Sequence, residues 1–530
     1  MTASHTSPFI HASAGRIVDR DDRPLRLRGV GLGNWLVPEG YMWGFGDSMS
    51  SPTQIEARIL SLVGEDRAAQ FWQRFRDAFI TSDDVHLIAD WGFDHVRLPM
   101  NGRDFITPDG EFLEEGFARV KDLVEWCRDA GLYVLLDLHA APGGQTGTNI
   151  DDSVHNRPAL FEHEHYRCMT IELWRELARR YRNDPMIMGY DLLNEPLPNA
   201  WADRYPDRLV TFYQRLTGAV RAVDPAHMLV YEGTRWATDF SVFDQVWDPN
   251  SVLQFHRYWC APTPASIQPF LDARQRLGLP IFMGEGGENT AAWTYAAHRL
   301  YERYNTGWNL WTWKKLGTVT SPLSATPPDR WGLIADPSSL PDPDIAWDIL
   351  EEFLEAIPAS RCVRREGLVS AAFGRAPLDL PAWAGRRGGT RAEAPVAGAP
   401  SSTDVTCNGQ DYSHREELSE TIWHHPRGED YGPEESAPIS LSIGDELVFD
   451  FESRPGGWDT ETSPRREHLE GKDQEGEREP GSLTVRWMPC LTTDQAIGPD
   501  ESTTAGALVL HAEAGTAVTE VRVYSDHSQE

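Results

Sequence analysis

Residues 189–196 read Gly-Tyr-Asp-Leu-Leu-Asn-Glu-Pro, and the rest of the chain is organised around this stretch. Its apolar part is typical of a buried strand, and Pro196 prevents that strand from simply continuing. Residues 280–288, Pro-Ile-Phe-Met-Gly-Glu-Gly-Gly-Glu, form a second such run, which ends in Glu285 among glycines that allow a substrate to come close. Glu195 and Glu285 are therefore expected at the ends of two strands. Hydrolysis of a glycosidic bond needs a pair of carboxyl groups, so the two stretches predict that chemistry.

Eight short apolar or β-branched runs alternate with segments of helical periodicity along the first two thirds of the chain. The predicted strands are residues 25–32, 95–100, 133–139, 188–194, 228–233, 252–258, 280–285 and 307–313. Predicted helices lie at residues 117–130, 166–182, 209–223, 265–277 and 291–304, and residues 346–357 would supply the last one. A short hairpin within residues 9–24 would precede them. This alternation predicts an α/β fold, a (β/α)8 barrel.

Polar and aromatic side chains collect near the end of almost every predicted strand. Active sites of (β/α)8 barrels are built at the C-terminal ends of the strands, whereas a barrel with a purely structural role does not need such residues there. We therefore interpret this set as an active site. Its members are Arg97, His139, Asn194, Glu195, Glu232, His256, Tyr258, Glu285 and Trp311.

The composition of the chain changes after the barrel. We expect a catalytic domain at residues 1–360, a connecting segment and linker at 361–403, and a β-sandwich-like accessory domain at 404–530. Residues 385–402 are rich in Gly, Ala, Pro and Ser, as linkers are. Strand-like runs follow at residues 439–451, 482–488, 507–512 and 518–524. Packing against the barrel and carbohydrate binding are both open as roles for this domain.

Charge and composition restrict the partners of this chain of 530 residues. Its net charge of −32 argues against nucleic acid and anionic membranes. Its 20 Trp residues favour sugar binding, because sugar rings stack on aromatic faces, although many Trp residues will belong to the core. No apolar run approaches the roughly 18 residues of a membrane span, and no signal peptide is evident, so we expect a cytoplasmic protein. The oligomeric state stays open.

No metal or cofactor is expected. The six cysteines show no C-x-x-C spacing. His163-Glu164-His165 and His424-His425 lack a third ligand at a recognisable spacing, so we interpret them as surface residues. Hydrolysis by two carboxyl groups requires no cofactor.

With these motifs, residues ~25–315 resemble glycoside hydrolase family 5, which consists of retaining (β/α)8 glycosidases. Leu-Leu-Asn194-Glu195-Pro is similar to the Asn-Glu-Pro of the family's fourth strand, and Gly284-Glu285 to the Gly-Glu of its seventh. Residues 28–39, Arg-Gly-Val-Gly-Leu-Gly-Asn-Trp-Leu-Val-Pro-Glu, and residues 138–147, Leu-His-Ala-Ala-Pro-Gly-Gly-Gln-Thr-Gly, resemble the exo-β-1,3-glucanase branch. Asn34 and a long insertion at residues 41–73 depart from that pattern.

The resemblance implies roles for the four residues closest to the chemistry. Glu285 is expected to be the nucleophile and Glu195 the general acid/base. Arg97 is expected to keep Glu285 ionised, and a plain structural ion pair is the alternative. Tyr258 is expected to donate a hydrogen bond to Glu285.

Other residues are expected to bind the sugar. Asn194 would hold the 2-hydroxyl, His139 and His256 would bind hydroxyls or orient neighbouring groups, and Trp311 would form the floor of the subsite. In the exo-β-1,3-glucanase branch the early Glu helps to hold the terminal sugar, so Glu39 is the candidate for the non-reducing end.

Three further tryptophans and two further carboxylates are secondary candidates. Trp35, Trp43 and Trp236 could form subsite walls, with core packing as the alternative for Trp35 and Trp43. Glu288 could replace Glu285 as nucleophile, but it lies three residues past the strand end, where its carboxylate would be directed less well at the anomeric carbon. Glu232 is the other rival carboxylate.

We therefore expect a retaining β-glycoside hydrolase that is exo-acting on β-glucosides or short β-glucans by double displacement. Its partner would be a β-linked oligosaccharide or glycoside. The alternatives are a β-mannosidase or another exo-β-glycosidase of the same fold, a transglycosylase, and a non-catalytic sugar-binding protein.

Overall fold

Eight parallel strands close into a barrel at the centre of the computed structural model. The structure describes residues 9–45, 49–148, 150–153, 156–389, 439–441, 445–452, 483–489, 506–512, 516–518 and 520–523. The barrel strands are β1 (Arg28–Gly31), β2 (His95–Asn101), β3 (Tyr133–Ala140), β4 (Ile187–Asp191), β5 (Met228–Glu232), β6 (Ser251–Tyr258), β7 (Ile281–Gly287) and β8 (Gly307–Trp311). The (β/α)8 prediction and all eight of its strands are confirmed.

The barrel closes because β8 pairs with both β7 and β1. Trp308 of β8 is the register partner of Arg28 in β1 and of Met283 in β7. Nearly every residue of the eight strands is buried, which explains why they read as continuous apolar runs rather than alternating ones. Asn194, just after β4, still donates its backbone N–H to the Leu138 carbonyl of β3 at 3.1 Å. The chain therefore stays in register up to the residues that carry the chemistry.

Helices surround the barrel and bury their apolar faces on it. The longer helices are α1 (Pro52–Val63), α2 (Glu65–Phe79), α3 (Ser82–Asp90), α4 (Glu114–Ala130), α5 (Glu164–Tyr181), α6 (Pro206–Arg221), α7 (Pro264–Leu277), α8 (Ala291–Arg303), α9 (Pro343–Ala356) and α10 (Glu366–Phe373). Helix α1 begins with a capping box between Ser51 and Gln54, with Pro52 at its first position. Helix α4 ends at Gly131, whose φ of 77° is the left-handed conformation that glycine adopts without strain.

Short elements complete the barrel domain. The expected N-terminal hairpin is formed by His11–Ser13 and Arg16–Val18. One-turn helices lie at Ala159–Glu162, Asn199–Ala202, Thr234–Ala237 and Gly332–Ala335, and 3-10 turns at Gly40–Trp43 and Gly102–Asp104. After β8, strand β9 (Lys314–Leu316) pairs with β10 (Leu323–Ala325), which pairs with β11 (Val363–Arg364).

The described strands beyond the barrel are antiparallel and form small sheets. They are β12 (Leu378–Pro381), β13 (Arg386–Gly389), β14 (Ile439–Leu441), β15 (Asp445–Phe451), β16 (Leu483–Pro489), β17 (Gly506–Ala512), β18 (Thr516–Val518) and β19 (Glu520–Val523). Strand β12 pairs with β19, and β13 pairs with β15. Part of the segment expected to be a linker thus belongs to the C-terminal sheets. The division of the chain into these three segments remains a prediction.

Hydrogen bonds and ion pairs join these sheets to the barrel. The Tyr295 hydroxyl of α8 donates to the Asp450 carbonyl at 2.9 Å. Glu452, at the end of β15, accepts hydrogen bonds from Arg28 of β1 and from Arg375. Within the described ranges, no helix is both long and apolar enough to cross a membrane.

Candidate active site

A cavity that opens to solvent, about 660 Å³ with the solvent at its mouth included, lies at the C-terminal end of the barrel, where the strand-end residues meet. The 3-10 turn after β1, the loops after β3 to β7 and the C-terminal ends of the strands, including Trp311 of β8, form its wall. Its lining residues are Glu39, Tyr41, His139, Ile150, Glu195, Trp236, Thr238, His256, Arg257, Tyr258, Trp259, Cys260, Glu285, Glu288 and Trp311.

Glu285, on β7, is held by donors on both of its carboxyl oxygens. Its Oε1 accepts a hydrogen bond from Arg97 Nη1, and its Oε2 accepts one from the Tyr258 hydroxyl at 2.8 Å. Burial disfavours the charged form of this carboxyl group, but His256 and Arg97 outweigh burial and lower the pKa of Glu285. Glu285 is therefore an ionised carboxylate in a cavity wall.

Glu195 lies opposite, just beyond β4, with a φ of +43°. Its backbone N–H donates to Glu232 Oε2 at 2.6 Å, and its Oε1 lies 2.7 Å from His256 Nδ1. Burial and the charge of Glu285 raise the pKa of Glu195, although the contact with His256 opposes this shift. Carboxyl oxygens of Glu195 and Glu285 lie within 4.8 Å of each other. Two neighbouring carboxyl groups with pKa values shifted in opposite directions are suited to acid and nucleophile roles.

Arg97 and the three carboxylates around it, Asp137, Asp191 and Glu232, form a charged layer beneath this pair. The guanidinium is fully buried and lies 3.2 Å from Asp137, 2.9 Å from Asp191 and 3.0 Å from Glu232. The pKa of Asp191 is raised to about 7, chiefly by burial and by the charge of Glu232. Arg97 thus contacts Glu285 from below and does not line the cavity.

Asn194 and His256 connect this layer to the two carboxyl groups of Glu195 and Glu285. Asn194 Oδ1 accepts a hydrogen bond from Arg97 Nη2 at 2.8 Å. His256 lies between Glu195 and Glu232, with its Nε2 3.3 Å from Glu232 Oε1. Burial disfavours the imidazolium, but the charges of Glu232 and Glu285 raise the pKa of His256 well above its ordinary value. A charged His256 would donate to both carboxylates and orient Glu195.

His139, Trp311 and Glu39 form another part of the wall. His139 Nδ1 lies 2.8 Å from Asp137 Oδ2, and its ring stacks on Trp311 with centroids 5.4 Å apart and an interplanar angle of 6°. Burial, only partly offset by the charge of Glu285, lowers the pKa of His139 to about 4, so the ring is neutral. Burial and then the charge of Glu285 raise the pKa of Glu39 well above its ordinary value.

Comparison with known proteins supports a glycosidase. The family model described as Cellulase (glycosyl hydrolase family 5) matches residues 60–317. A β-xylosidase from Phanerodontia chrysosporium is 30% identical over 348 residues, covering 58% of this chain and 71% of that protein. The chain belongs to glycoside hydrolase family 5. The family resemblance noted in the sequence is confirmed, and the chain is an O-glycosyl hydrolase acting on β-glycosides.

Other family 5 relatives match over shorter stretches. A protein named as a probable glucan 1,3-β-glucosidase A from Neosartorya fischeri is 30% identical over 203 residues, covering 38% of this chain and 48% of that protein. The match therefore spans about half of that relative. An endogalactoceramidase crystal structure has a TM-score of 0.47 and 17% identity, covering 97% of this chain and 100% of that chain, which is too distant to carry an argument about substrate.

Two of the predicted subsite tryptophans lie elsewhere in this family 5 protein. Trp35 is buried, does not line the cavity, and donates its indole N–H to the Arg76 carbonyl at 2.8 Å. Trp43 is also buried and packs against Phe75 and Phe353, with ring centroids 5.1 and 5.0 Å away. The prediction that Trp35 and Trp43 contact substrate is therefore wrong, because the turn after β1 directs both rings into the helical layer. Trp236 does line the cavity.

The surroundings of the two rival carboxylates, Glu232 and Glu288, differ from those of Glu285. Glu232 is wholly buried beneath the cavity, where it bonds to Arg97 and to the backbone of Glu195. Glu288 lines the cavity and pairs with Lys315. Glu232 shares the Arg97 donor with Glu285, whereas the Tyr258 hydroxyl donates to Glu285. Sequence reasoning missed Tyr41, Trp259 and Lys315. Trp259 follows the His-Arg-Tyr motif directly and could have been found from it, whereas nothing local marks the other two.

Among the described residues, one group of three metal-ligand types converges: Glu195, His256 and Glu285. Each already has a partner within the protein, since His256 bonds Glu195 while Glu285 accepts from Arg97 and Tyr258. A guanidinium this close opposes the binding of a cation. His163 and His165 are exposed, as expected for surface residues, and His424-His425 lies outside the described residues.

Proposed function

We propose that this protein is a retaining β-glycoside hydrolase that removes the terminal sugar from β-glucosides or short β-glucans. Glu285 would be the nucleophile and Glu195 the general acid/base. The observation that carries this proposal is the spacing of their carboxyl groups, whose oxygens approach within 4.8 Å. Retaining enzymes place the two groups about 5–5.5 Å apart, whereas inverting enzymes need about 6.5–9.5 Å to admit a water molecule.

In the first step, a Glu285 oxygen attacks the anomeric carbon while the bond to the leaving oxygen breaks. Glu195 transfers its proton to that oxygen, so the products are a glycosyl ester on Glu285 and a neutral alcohol. Since Glu195 Oε1 faces His256, the proton would sit on Oε2. Arg97 and Tyr258 keep Glu285 ionised until it attacks.

In the second step, Glu195 accepts a proton from water, which attacks the anomeric carbon and releases Glu285 as a carboxylate. The charge on Glu285 is one cause of the raised pKa of Glu195. Because ester formation removes that charge, the pKa of Glu195 falls and the residue can act as a base. The free sugar leaves with its β-configuration retained.

Two features support action at the end of a chain. Glu39, expected to hold the non-reducing end, lies in the cavity wall and is buried. One relative carries the name probable glucan 1,3-β-glucosidase. The β-xylosidase relative, 30% identical over a stretch that covers 71% of its length, favours a second candidate, removal of terminal xylose.

Aryl β-glycosides test this proposal. We expect release of nitrophenol from the β-glucoside by the wild type and loss of turnover in Glu285→Ala. Azide should restore turnover and yield the α-glycosyl azide, since azide attacks the face that Glu285 has vacated. Glu288→Ala with azide is the matched comparison and should give no α-azide.

The other outcomes separate the alternatives. Turnover mainly of the β-xyloside or β-mannoside would retain the mechanism and change the sugar. Sugar transfer to an added glycoside in preference to water would indicate a transglycosylase. A folded wild type that binds sugars but turns over no glycoside would overturn the proposal in favour of a sugar-binding protein.

A further inference from the structure

The cavity wall contains a second ion pair, formed by Glu288 and Lys315, which the hydrolysis above does not use. We propose that Glu288 is a specificity-determining residue that accepts a hydrogen bond from a hydroxyl group of the terminal sugar, and that Lys315 positions its carboxylate. This inference rests on the proposed function, because it assigns a substrate contact within the same cavity.

Burial is the first observation that supports it. Glu288 is only 4% exposed but lines the cavity, and Lys315, also 4% exposed, lies behind it. Only four lysines occur in the whole chain, at positions 121, 314, 315 and 472. Burying an ion pair removes two charges from water and often stabilises a fold no better than apolar residues would. A pair that faces a substrate cavity is better explained by recognition than by stability.

The backbone at Glu288 gives independent support. Its φ of +49° lies in the left-handed region, which is unfavourable for a residue with a Cβ atom and which glycine adopts without strain. Gly286 and Gly287 precede it, so the loop already uses glycine where the backbone requires it. An unfavourable conformation with a carboxylate side chain in a cavity wall points to a function for that side chain.

Contacts on both sides hold Glu288 in place. Lys315 Nζ donates to Glu288 Oε1 and, at 3.2 Å, to Thr320 Oγ1. Lys315 Nζ also lies 5.5 Å from the centroid of the Tyr41 ring. On the other side, the Trp259 indole N–H donates to the Glu288 carbonyl at 3.2 Å. The carboxylate is therefore preorganised to accept a hydrogen bond before substrate arrives.

The neighbours of Glu288 indicate which part of the substrate it meets. The charge of Glu288 contributes, after burial and Glu285, to the raised pKa of Glu39, so the two acidic groups are close. Glu39 is the residue expected to hold the non-reducing end. The two side chains together would form hydrogen bonds with adjacent hydroxyls of one uncharged sugar, and the Glu288 carboxylate would disfavour a uronic acid.

A chemical double-mutant cycle tests the proposal. The substrates are aryl β-glucoside, its 3-deoxy, 4-deoxy and 6-deoxy analogues, and aryl β-xyloside, each with wild type, Glu288→Gln and Lys315→Met. In the wild type, deletion of the recognised hydroxyl should lower kcat/KM roughly 10- to 100-fold, the range for a hydrogen bond to a charged group. In Glu288→Gln the same deletion should lower kcat/KM by less than about 3-fold, while each other deletion lowers it as much as in the wild type. This difference is the coupling between Glu288 and the recognised hydroxyl. Lys315→Met should weaken the same coupling.

Each variant is described by the ratio of its kcat/KM values for two substrates. The concentration of folded enzyme cancels from this ratio, so the comparison does not depend on how much of each variant folds. Glu125→Gln is the matched control, since Glu125 forms an exposed pair with Lys121 at 3.4 Å, and its ratios should equal those of the wild type. Equal ratios for Glu288→Gln and wild type with every analogue would overturn the inference.

Binding measurements separate this inference from the proposed function. Calorimetric titration of the methyl β-glycosides and their deoxy analogues should show the same coupling between Glu288 and one hydroxyl. Absence of turnover with coupling intact would overturn only the hydrolase proposal. Turnover without coupling in either assay would overturn only the role of Glu288.

Discussion

Replacement of Tyr258 by Phe isolates one of the two donors that keep Glu285 ionised. The Tyr258 hydroxyl donates to Glu285 Oε2 at 2.8 Å, while Arg97 serves the other oxygen. Phenylalanine keeps the ring, which packs against Trp259 with centroids 5.2 Å apart. The substitution therefore removes a hydrogen bond from the proposed nucleophile with little change in packing.

The expected shift follows from the energy of that bond. A hydrogen bond to a charged group contributes about 1.5–3 kcal/mol. If most of it is lost only from the ionised form, the pKa of Glu285 should rise by about 1–2 units, since one unit corresponds to about 1.4 kcal/mol. As the proposed nucleophile, Glu285 must be ionised to attack, and its folded pKa lies below the ordinary value in the wild type. The acidic limb of kcat/KM should therefore move to higher pH by about 1–2 units.

The assay is the pH dependence of kcat/KM for an aryl β-glucoside, with circular dichroism to confirm folding. Tyr205→Phe is the matched control, because the Tyr205 hydroxyl donates to Glu162 at 2.9 Å and does not line the cavity. Its profile should be unchanged. An acidic limb that stays in place in Tyr258→Phe would refute the assignment of that limb to Glu285.

Two further predictions concern Glu195 and Glu302. Glu195→Gln should abolish the alkaline limb of the kcat/KM profile, because that limb reports loss of the acid proton. It should also slow hydrolysis of the glycosyl ester by at least about 100-fold. If the alkaline limb survives, the limb belongs to another group. Burial opposes ionisation of Glu302, but Arg299 and Arg28 lower its pKa to about 2 from an ordinary value of 4.5. Its charge therefore stabilises the fold above pH 4.5, and that contribution is lost as the pH falls towards about 2. Urea titrations of Glu302→Gln should show a free energy of unfolding that varies less over this interval than in the wild type, and parallel curves would contradict the argument.

The barrel was predictable because its signals are local. A strand buried on both faces must be apolar along its length, and a helix that packs on it must repeat every 3.6 residues. Both patterns can be read without knowing any partner. The residues at strand ends inherit this predictability, because closing the barrel brings all the C-terminal ends to one side. Glu195, His256 and Glu285 therefore meet as expected.

Residues in the loops were harder to predict. Trp35 and Trp43 lie close in sequence to Glu39, yet Glu39 faces the cavity and the two indoles face the helical layer. Their directions are set by Arg76 and Phe353, which lie far along the chain. Trp236 was proposed on the same kind of reasoning and does reach the cavity.

The sequence by itself determined the strand order, the side of the barrel that carries polar groups, and the two carboxylates proposed as the catalytic pair, because periodicity and strand ends depend on neighbouring residues. Tertiary structure alone decided which charges and hydrogen-bond donors surround each carboxylate. Glu285 is distinguished from Glu288 by Arg97 and Tyr258 on one side and Lys315 on the other. Such differences arise from charges and donors brought together from distant parts of the chain. Electrostatic interactions act through space, so their effect on a pKa depends on the folded arrangement and not on sequence spacing.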